Sequence, residues 1–288
     1  MTSPAHTRAD TVRAVTDSFY VLGGEAAAGS VRVVPSELTR GPWDPGSQHA
    51  GPASALLARA IELCEQREGM RVGRVTVEIL APLPIAPLTL SAAVVRPGRS
   101  VEMLEASLAG PGGEVARASA WRVATTDITA DWEQDEAPPG PENAIAVEFF
   151  AETGGSHAPQ ARTSGERVGW HTAMEIVFAR GKFLEPGPAT AWMRPWVALV
   201  EGEEFTPLQR VMVAADGGNG VSAPLDWSGF IFINTDLTVH LLRPAVGEWV
   251  CLDAVTHVDG IGMTDTALWD ERGRIGRAAQ TLLVRARS

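Results

Sequence analysis

Asp216 stands at the end of the run Leu208-Gln209-Arg210-Val211-Met212-Val213-Ala214-Ala215, whose spacing predicts a helix from Pro207 to Asp216, and Gly217-Gly218-Asn219-Gly220 follow it. Such residues ordinarily close a helix. A carboxylate there meets the negative end of the helix dipole, so some further interaction must favour it. In a partly apolar cleft it can serve as a general base or hold a water; in an open glycine loop it is a solvated surface group. Gln280 alternates with Ala278, Leu282 and Val284, so it points an amide into the core, where it requires partners. Catalytic positioning and simple pairing with neighbouring backbone both fit. By the same alternation Asn234 shares a polar strand face with Asp236, Thr238 and His240, opposite Ile231, Ile233, Leu237, Val239 and Leu241, unless a bulge turns it over. Thr235 offers a hydroxyl beside it. His240 on that face reads as a solvated imidazole.

A second group sits in the first half, at His49-Ala50-Gly51-Pro52. Backbone N–H groups at a helix N-terminus can point at an oxygen on which negative charge develops, although Pro52 removes one donor. An ordinary helix start after a proline-rich turn explains the same residues. Asp44 lies five residues before His49, a spacing that could also make an acid–base pair. Other chemistries lack their residues. The chain has no Gly-x-Ser-x-Gly elbow, its glycines at 217–220 lack nucleotide-loop spacing, and no metal cluster or cofactor motif is visible. Cys64 and Cys251 are its two cysteines, without metal spacing, and read as buried reduced thiols.

The elements that must carry these groups occur twice. Val75-Thr76-Val77-Glu78-Ile79-Leu80-Ala81-Pro82 matches Leu237-Thr238-Val239-His240-Leu241-Leu242-Arg243-Pro244 at an offset of 162, Pro82 to Pro244. Gly113-Glu114-Val115-Ala116-Arg117-Ala118 matches Gly273-Arg274-Ile275-Gly276-Arg277-Ala278 at an offset of 160. So long a period indicates one domain duplicated. In the first half, extended segments at Phe19–Leu22 and Ser30–Val34 precede a helix that starts at Gly51-Pro52, with an apolar face of Leu56, Leu57, Ala60, Ile61 and Cys64 and an end at Gly69. Strands are expected at Val72–Leu80, Leu88–Val95, Val101–Leu108 and Glu114–Val123. The second half replays this: strands at Thr172–Ala179 and Thr190–Leu199, the helix before Asp216, then Phe230–Leu242, Trp249–His257, Gly262–Trp269 and Arg274–Val284. Residues 1–126 and 170–288 make the two units. The stretch 127–169, with Pro138-Pro139 and Gly154-Gly155, is a linker that holds at most a strand at Ile145–Phe150. One helix plus consecutive strands in each unit predicts an α+β fold, an antiparallel sheet wrapped round a central helix. At the 160 offset Gln280 falls on Ala120, so the second half is expected to supply the reactive side chains.

With 288 residues the chain can bury two cores. Its net charge of −11, without a basic run, argues against nucleic acid as a partner. No apolar run reaches the roughly 20 residues of a membrane span, and the polar start is not a signal peptide, so the expectation is a soluble, cytoplasmic protein with no membrane partner.

The order of elements resembles the hot-dog fold, and the duplication resembles the double hot-dog acyl-CoA thioesterases, the thioesterase II family and its actinobacterial relatives. The resemblance rests on Leu208–Asp216, on Asn234–Pro244, and on Gly276-Arg277-Ala278-Ala279-Gln280-Thr281-Leu282-Leu283-Val284-Arg285, in that order. In that family an Asp on the second central helix, a Thr at the start of the next strand and a Gln on the last strand bind the water that attacks the thioester. By position these become Asp216, Asn234 and Gln280, with Asn standing where better-known members have Thr and Thr235 able to substitute. His49 and Gly51 resemble a variant of the His-Gly-Gly turn of single hot-dog thioesterases and would hold the substrate. The implied substrate is an acyl-CoA, hydrolysed without a cofactor or covalent intermediate, and Arg243, Arg285 and Arg180 are candidates for its phosphates. Two alternatives stand: a hot-dog enoyl-CoA hydratase or dehydratase using Asp44 and His49, and an acyl-CoA-binding protein without turnover. A duplicated chain already makes internally the pairing that single hot-dog proteins make as dimers, so a homo-oligomer is possible but not required.

Overall fold

A computed structural model describes residues 17–26, 29–130, 136–146, 168–183, 185–226 and 228–287. Its strands are β1 (Ser18–Glu25), β2 (Ser30–Pro35), β3 (Met70–Ile79), β4 (Leu88–Arg96), β5 (Val101–Gly110), β6 (Gly113–Ala124), β7 (Ile145–Ala146), β8 (Met174–Arg180), β9 (Ala189–Pro195), β10 (Ala198–Val200), β11 (Phe230–Asn234), β12 (Asp236–Leu241), β13 (Val250–Asp259), β14 (Ile261–Asp270) and β15 (Gly273–Ala286). The α-helices are α1 (Ala50–Leu63), α2 (Trp170–Ala173), α3 (Pro207–Ala215) and α4 (Gly218–Val221). The strand expected at Ile145–Phe150 is described only at Ile145–Ala146; its remainder lies outside the described residues.

All strands join one sheet in the order β10-β1-β2-β4-β5-β6-β3-β12-β15-β14-β13-β9-β8-β7, with β11 also on β15. α1 lies against β3 to β6, α3 lies against β9, β12 and β13, and the two helices pack on each other. This is the tandem hot-dog arrangement. Because α1 is held between its own sheet and α3, it is buried nearly all round, from Gly51 to Arg59 and again at Ile61, rather than along the single stripe the sequence suggests. It also ends earlier than Gly69. Cys64 is the C-cap and Glu65 takes a positive φ of 40°. Arg122 reaches across from β6 to donate to the carbonyls of Cys64 and Glu65 at 2.9 and 2.8 Å, satisfying the helix end with a side chain from elsewhere in the sheet.

The halves meet at two seams. β1 runs parallel to β10, and β3 runs antiparallel to β12 with Thr76 opposite Thr238. Those two threonines are each other's counterparts at the 162 offset, so an approximate twofold axis passes between them; their hydroxyls are 3.2 Å apart. The halves also share a bulge. The register of β3 on β6 slips between Val72 and Arg74, and that of β11 and β12 on β15 slips at Thr235, 162 residues after Gly73.

Two buried carboxylates brace the ends of these strands. Glu102 accepts from Arg122 at 2.5 Å and from Arg67 at 2.9 Å, and Asp270 accepts from Arg243 at 2.5 and 2.7 Å and from the N–H groups of Val246 and Arg272. Burial alone would raise both carboxyls; the hydrogen bonds, with the arginine charges, outweigh it and hold both below the ordinary range. A carboxyl that titrates lower folded than unfolded supplies stability that is complete above the unfolded range near ~4 and is lost as pH falls through the folded values. Stability by urea unfolding should therefore fall steeply on the acid side of about pH 4. Glu102→Gln, which leaves Arg122 buried without its counter-charge, should cost about 3–5 kcal/mol at neutral pH and flatten that acid slope.

Candidate active site

The turn that precedes α1 is fixed by backbone and side chain together. Gln48 N–H donates to Leu83 O at 2.7 Å and His49 N–H donates to Thr39 O at 2.7 Å. The Gln48 side chain accepts from the Tyr20 hydroxyl at 2.6 Å and donates to Pro84 O at 2.7 Å. Tyr20 is fully buried, and that burial pushes its hydroxyl pKa well up, so it stays a donor. His49, the N-cap, thus leaves the turn in one direction. Gly51 then lets α1 touch α3, because a Cβ there would lie 2.6 Å from Val213 O.

α3 closes at its C-cap, Asp216, without a left-handed residue. Asp216 keeps helical angles (φ −64°, ψ −20°), and Gly217 to Gly220 run on into α4 with no positive φ among them. Glycine is needed there for space. A Cβ on Gly217 would lie 3.1 Å from Met193 Cε and 3.2 Å from Trp170 Cη2, and one on Gly218 would lie 2.7 Å from Thr266 Oγ1. This close packing sets the Asp216 carboxylate between α1 and β15.

Four side chains converge. Asp216 Oδ1 accepts from Asn234 Nδ2 at 2.8 Å, and Asp216 Oδ2 lies 2.9 Å from His49 Nδ1. Gln280 Nε2 donates to Asp216 O at 3.2 Å and lies 3.5 Å from Oδ1. The orientation of that amide is settled by Asn219, whose N–H can only donate and reaches Gln280 Oε1 at 3.1 Å. Asn234 gets there through the bulge. Phe232 and Asn234 face inward before it, Leu237 and Val239 face inward after it, so the parity of the strand changes at Thr235. Simple alternation, which grouped Asn234 with Asp236 and His240, is corrected by that slip.

The other expected residues divide. Gly51 belongs to the site through its contact with α3 and its N–H, 3.1 Å from His49 Nδ1. Thr235 is exposed and its hydroxyl donates outward, to Asp236 and Thr281 O. Arg243 is committed to Asp270. Arg180, Arg285 and His240 are exposed. Asp44 accepts from Gly46 N–H at 2.6 Å and closes an exposed turn, so the carboxylate against His49 is Asp216, not Asp44. The contact between His49 and a carboxylate is made between the halves and not within the first one.

Sequence spacing did not lead to two further features of the site. Trp170, on α2, stacks flat on His49 with centroids 4.0 Å apart and planes 5° from parallel. Its indole N–H finds no acceptor among the described residues, so the ring is held for its face rather than its donor. Behind Gln280 runs a buried hydroxyl row, Ser222 to Thr256 at 2.8 Å and Thr256 to Thr264 at 2.8 Å. The trace this leaves in the sequence is slight: Thr264 and Thr266 alternate on β14, and β13 carries Thr256.

The opposite end of the helix pair is chemically different. The α3 N-cap, Thr206, stands 157 residues after the α1 N-cap, His49, and at that offset Arg59 takes the place of Asp216. Arg59 makes a two-pronged pair with Glu203, both contacts at 2.6 Å. Glu62 accepts there from Thr206 and Gln209 at 2.7 and 3.0 Å, and burial raises its carboxyl in spite of those donors and of Arg59. Val72 and Ala120 fill the places of Asn234 and Gln280. Among the described residues no group of three or more His, Cys, Asp or Glu is placed to hold a metal ion, and no helix is long and apolar enough to cross a membrane.

Comparison with known proteins adds the following. A family model for the acyl-CoA thioesterase N-terminal domain matches residues 39–123, and one for the acyl-CoA thioesterase C-terminal domain matches residues 141–284. No curated protein matches the chain. Among solved structures it is similar to a hot-dog protein of unknown function from Alicyclobacillus acidocaldarius (TM-score 0.68, 15% identity, 93% of this chain and 96% of that one). It is also similar to an acyl-CoA thioesterase II from Mycobacterium marinum (TM-score 0.64, 13% identity, 93% and 96%). A protein named as a candidate thioesterase II from Thermobifida fusca gives a TM-score of 0.67 at 18% identity, over 94% and 96%. At these identities the structures speak to fold.

Because Gly218 has no room for a side chain, Gly218→Ala should drive Thr266 and Gln280 apart and cost about 1–3 kcal/mol in urea unfolding. Gly220→Ala, which meets open space in the same turn, should be neutral or stabilise by up to about 1 kcal/mol.

Proposed function

The chain belongs to the acyl-CoA thioesterase family, and from that premise we propose that it hydrolyses acyl-CoA thioesters to a free acid and CoA by direct attack of water. The observation that supports this best is the convergence of Asn234 and Gln280 on the Asp216 carboxylate, with His49 facing it from the other half. These groups come from α3, β11, β15 and the start of α1, so one small volume holds a buried negative charge, two amides and an imidazole. The chemistry needs a group to take the proton of water, a hydrogen-bonding group to orient that water, and donors for the oxygen of the tetrahedral intermediate. The carboxylate–imidazole pair answers to the first. Asn234 answers to the second: its Nδ2 is spent on Asp216, and its Oδ1 can accept from water, so the amide divides over two atoms what a threonine hydroxyl does with one. The first turn of α1, with its backbone N–H groups, answers to the third. No acyl-enzyme is required. The same reading assigns 1–126 and 170–288 to two hot-dog units joined by 127–169.

The His49–Asp216 contact also suits a second reaction, addition of water to an enoyl thioester, which needs an acid and a base rather than a leaving thiol. A saturated acyl-CoA separates the two, since it can release thiol but cannot be hydrated. We expect thiol release, followed with a thiol-reactive dye, and a fall in kcat of about 10²–10⁴ in Asp216→Ala. An unchanged rate in that variant would remove Asp216 from the chemistry. Tight acyl-CoA binding without thiol release or hydration would select a binding protein instead.

A further inference from the structure

Resting on the thioesterase reading, in which His49 and Asp216 together take the proton of water, we infer that Trp170 is a positioning residue for that reaction: the face of its indole fixes the plane of the imidazole. His49 is the N-cap of α1, and its Nδ1 accepts from Gly51 N–H at 3.1 Å and lies 2.9 Å from Asp216 Oδ2. Both contacts fall on one ring atom, and by themselves they let the ring turn about it. The stack supplies the missing restraint. With centroids 4.0 Å apart and planes 5° from parallel, the two rings are in van der Waals contact face to face, so an imidazole that turned out of its plane would drive an edge into the indole.

The same indole touches both helix ends that carry the pair. A Cβ on Gly51, in the first turn of α1, would lie 3.3 Å from Trp170 Nε1, and one on Gly217, the residue after Asp216, would lie 3.2 Å from Trp170 Cη2. One stiff side chain therefore braces the start of α1 and the turn that follows α3. Its polar atom takes no share in this. Nε1 is buried without an acceptor among the described residues, so a phenyl ring in its place would give up no hydrogen bond.

Trp170 is in turn placed by the first half. Its backbone N–H donates to Arg40 O at 2.9 Å. The Arg40 guanidinium donates back to Val168 O and, through Nε, to Pro45 O, both at 2.9 Å, so it ties the start of α2 to the turn that ends at His49. Gly169 permits the approach, since a Cβ there would lie 2.8 Å from Arg40 O. The residue that holds His49 thus comes from the other half and is fastened to the segment that presents His49.

The test uses the full chain, with thiol release from a saturated acyl-CoA as one readout and the ring-proton resonances of His49 as the other, assigned by their absence from His49→Gln. An aromatic face shields protons that lie over it, so in the wild type these resonances should lie upfield of those of the other histidines. Trp170→Met, apolar but without a flat face, should lower kcat about 10–10²-fold with KM within about threefold, because a misplaced group slows the chemical step more than it weakens binding. Its far-ultraviolet spectrum should stay folded and its His49 resonances should move downfield. Trp170→Phe keeps a face, and it should restore kcat to within about threefold of the wild type with the resonances still upfield. Gly169→Ala keeps the indole but presses its backbone away from Arg40; it should slow turnover and move the His49 resonances as Trp170→Met does, and it reads the inference if Trp170→Met does not fold. Full kcat in Trp170→Met, or in Gly169→Ala with the His49 resonances displaced, overturns the inference. So does a Trp170→Phe as slow as Trp170→Met, which would mean that something other than a flat face is required. Lost kcat with unmoved His49 resonances would make Trp170 a packing residue and sink the inference as well. A wild type that releases no thiol overturns the thioesterase reading instead, and the resonances, which need no turnover, still report whether Trp170 holds the ring.

Discussion

The backbone contact between α1 and α3, at Gly51 and Val213, is the constraint on which the rest of the site depends. Two helices from different halves can approach this closely only where one of them carries no Cβ. The approach sets the start of α1 beside the end of α3, and so a histidine from one half beside an aspartate from the other. It also creates the crowding that fixes the residues around it. Trp170 fills the space beneath His49 and reaches Gly217, while Gly218 backs onto Thr266 and Gln280. Dense interiors transmit small displacements. A shift of the helix pair would move the carboxylate, the imidazole and both amides together.

Burial of the Asp216 charge is sustained by what surrounds it. A carboxylate at a helix C-terminus opposes the dipole, and its removal from water is costly unless it is hydrogen-bonded. Asn234 and Gln280 direct amide hydrogens toward it, and His49 Nδ1 lies 2.9 Å from Oδ2. Asn219, from the turn that follows, sets the orientation of Gln280 and so closes the network. A buried polar network of this kind is rigid when every member is paired. Asn234 is held in that network through its Nδ2, which donates to Asp216 Oδ1 at 2.8 Å.

Much of this was legible in the sequence because period-two alternation and the 162-residue repeat are strong signals. They place the central helices, the strands of both halves and the inward face of Gln280. Two kinds of feature were not legible. The first is the bulge at Thr235, which turns Asn234 inward; a one-residue slip reverses facing, and nothing in Asn234-Thr235-Asp236 announces it, although the matching slip at Gly73 carries a glycine. The second is pairing across the seam. Asp44 is five residues from His49 and Asp216 is far from it in the chain, yet the distant carboxylate is the one in contact, because the helix pair and not sequence spacing sets the distance. The glycines after Asp216 do mark the end of α3, but for a different physical reason than left-handed backbone: Gly217 and Gly218 have negative φ and stand where a side chain has little room.

The unlike ends of the helix pair bear on why such a molecule would be one polypeptide. In a homodimer every substitution is made twice, so a histidine gained at one end of the interface is gained at the other, and an arginine that seals one end seals both. Covalent fusion of the two copies lifts that bookkeeping. His49 and Asp216 can be tuned to each other at one pole while Arg59 and Glu203 close the opposite pole with an ion pair, and neither change has to be compatible with its own mirror image. One His49–Asp216 contact per two folded units is the stoichiometry that follows.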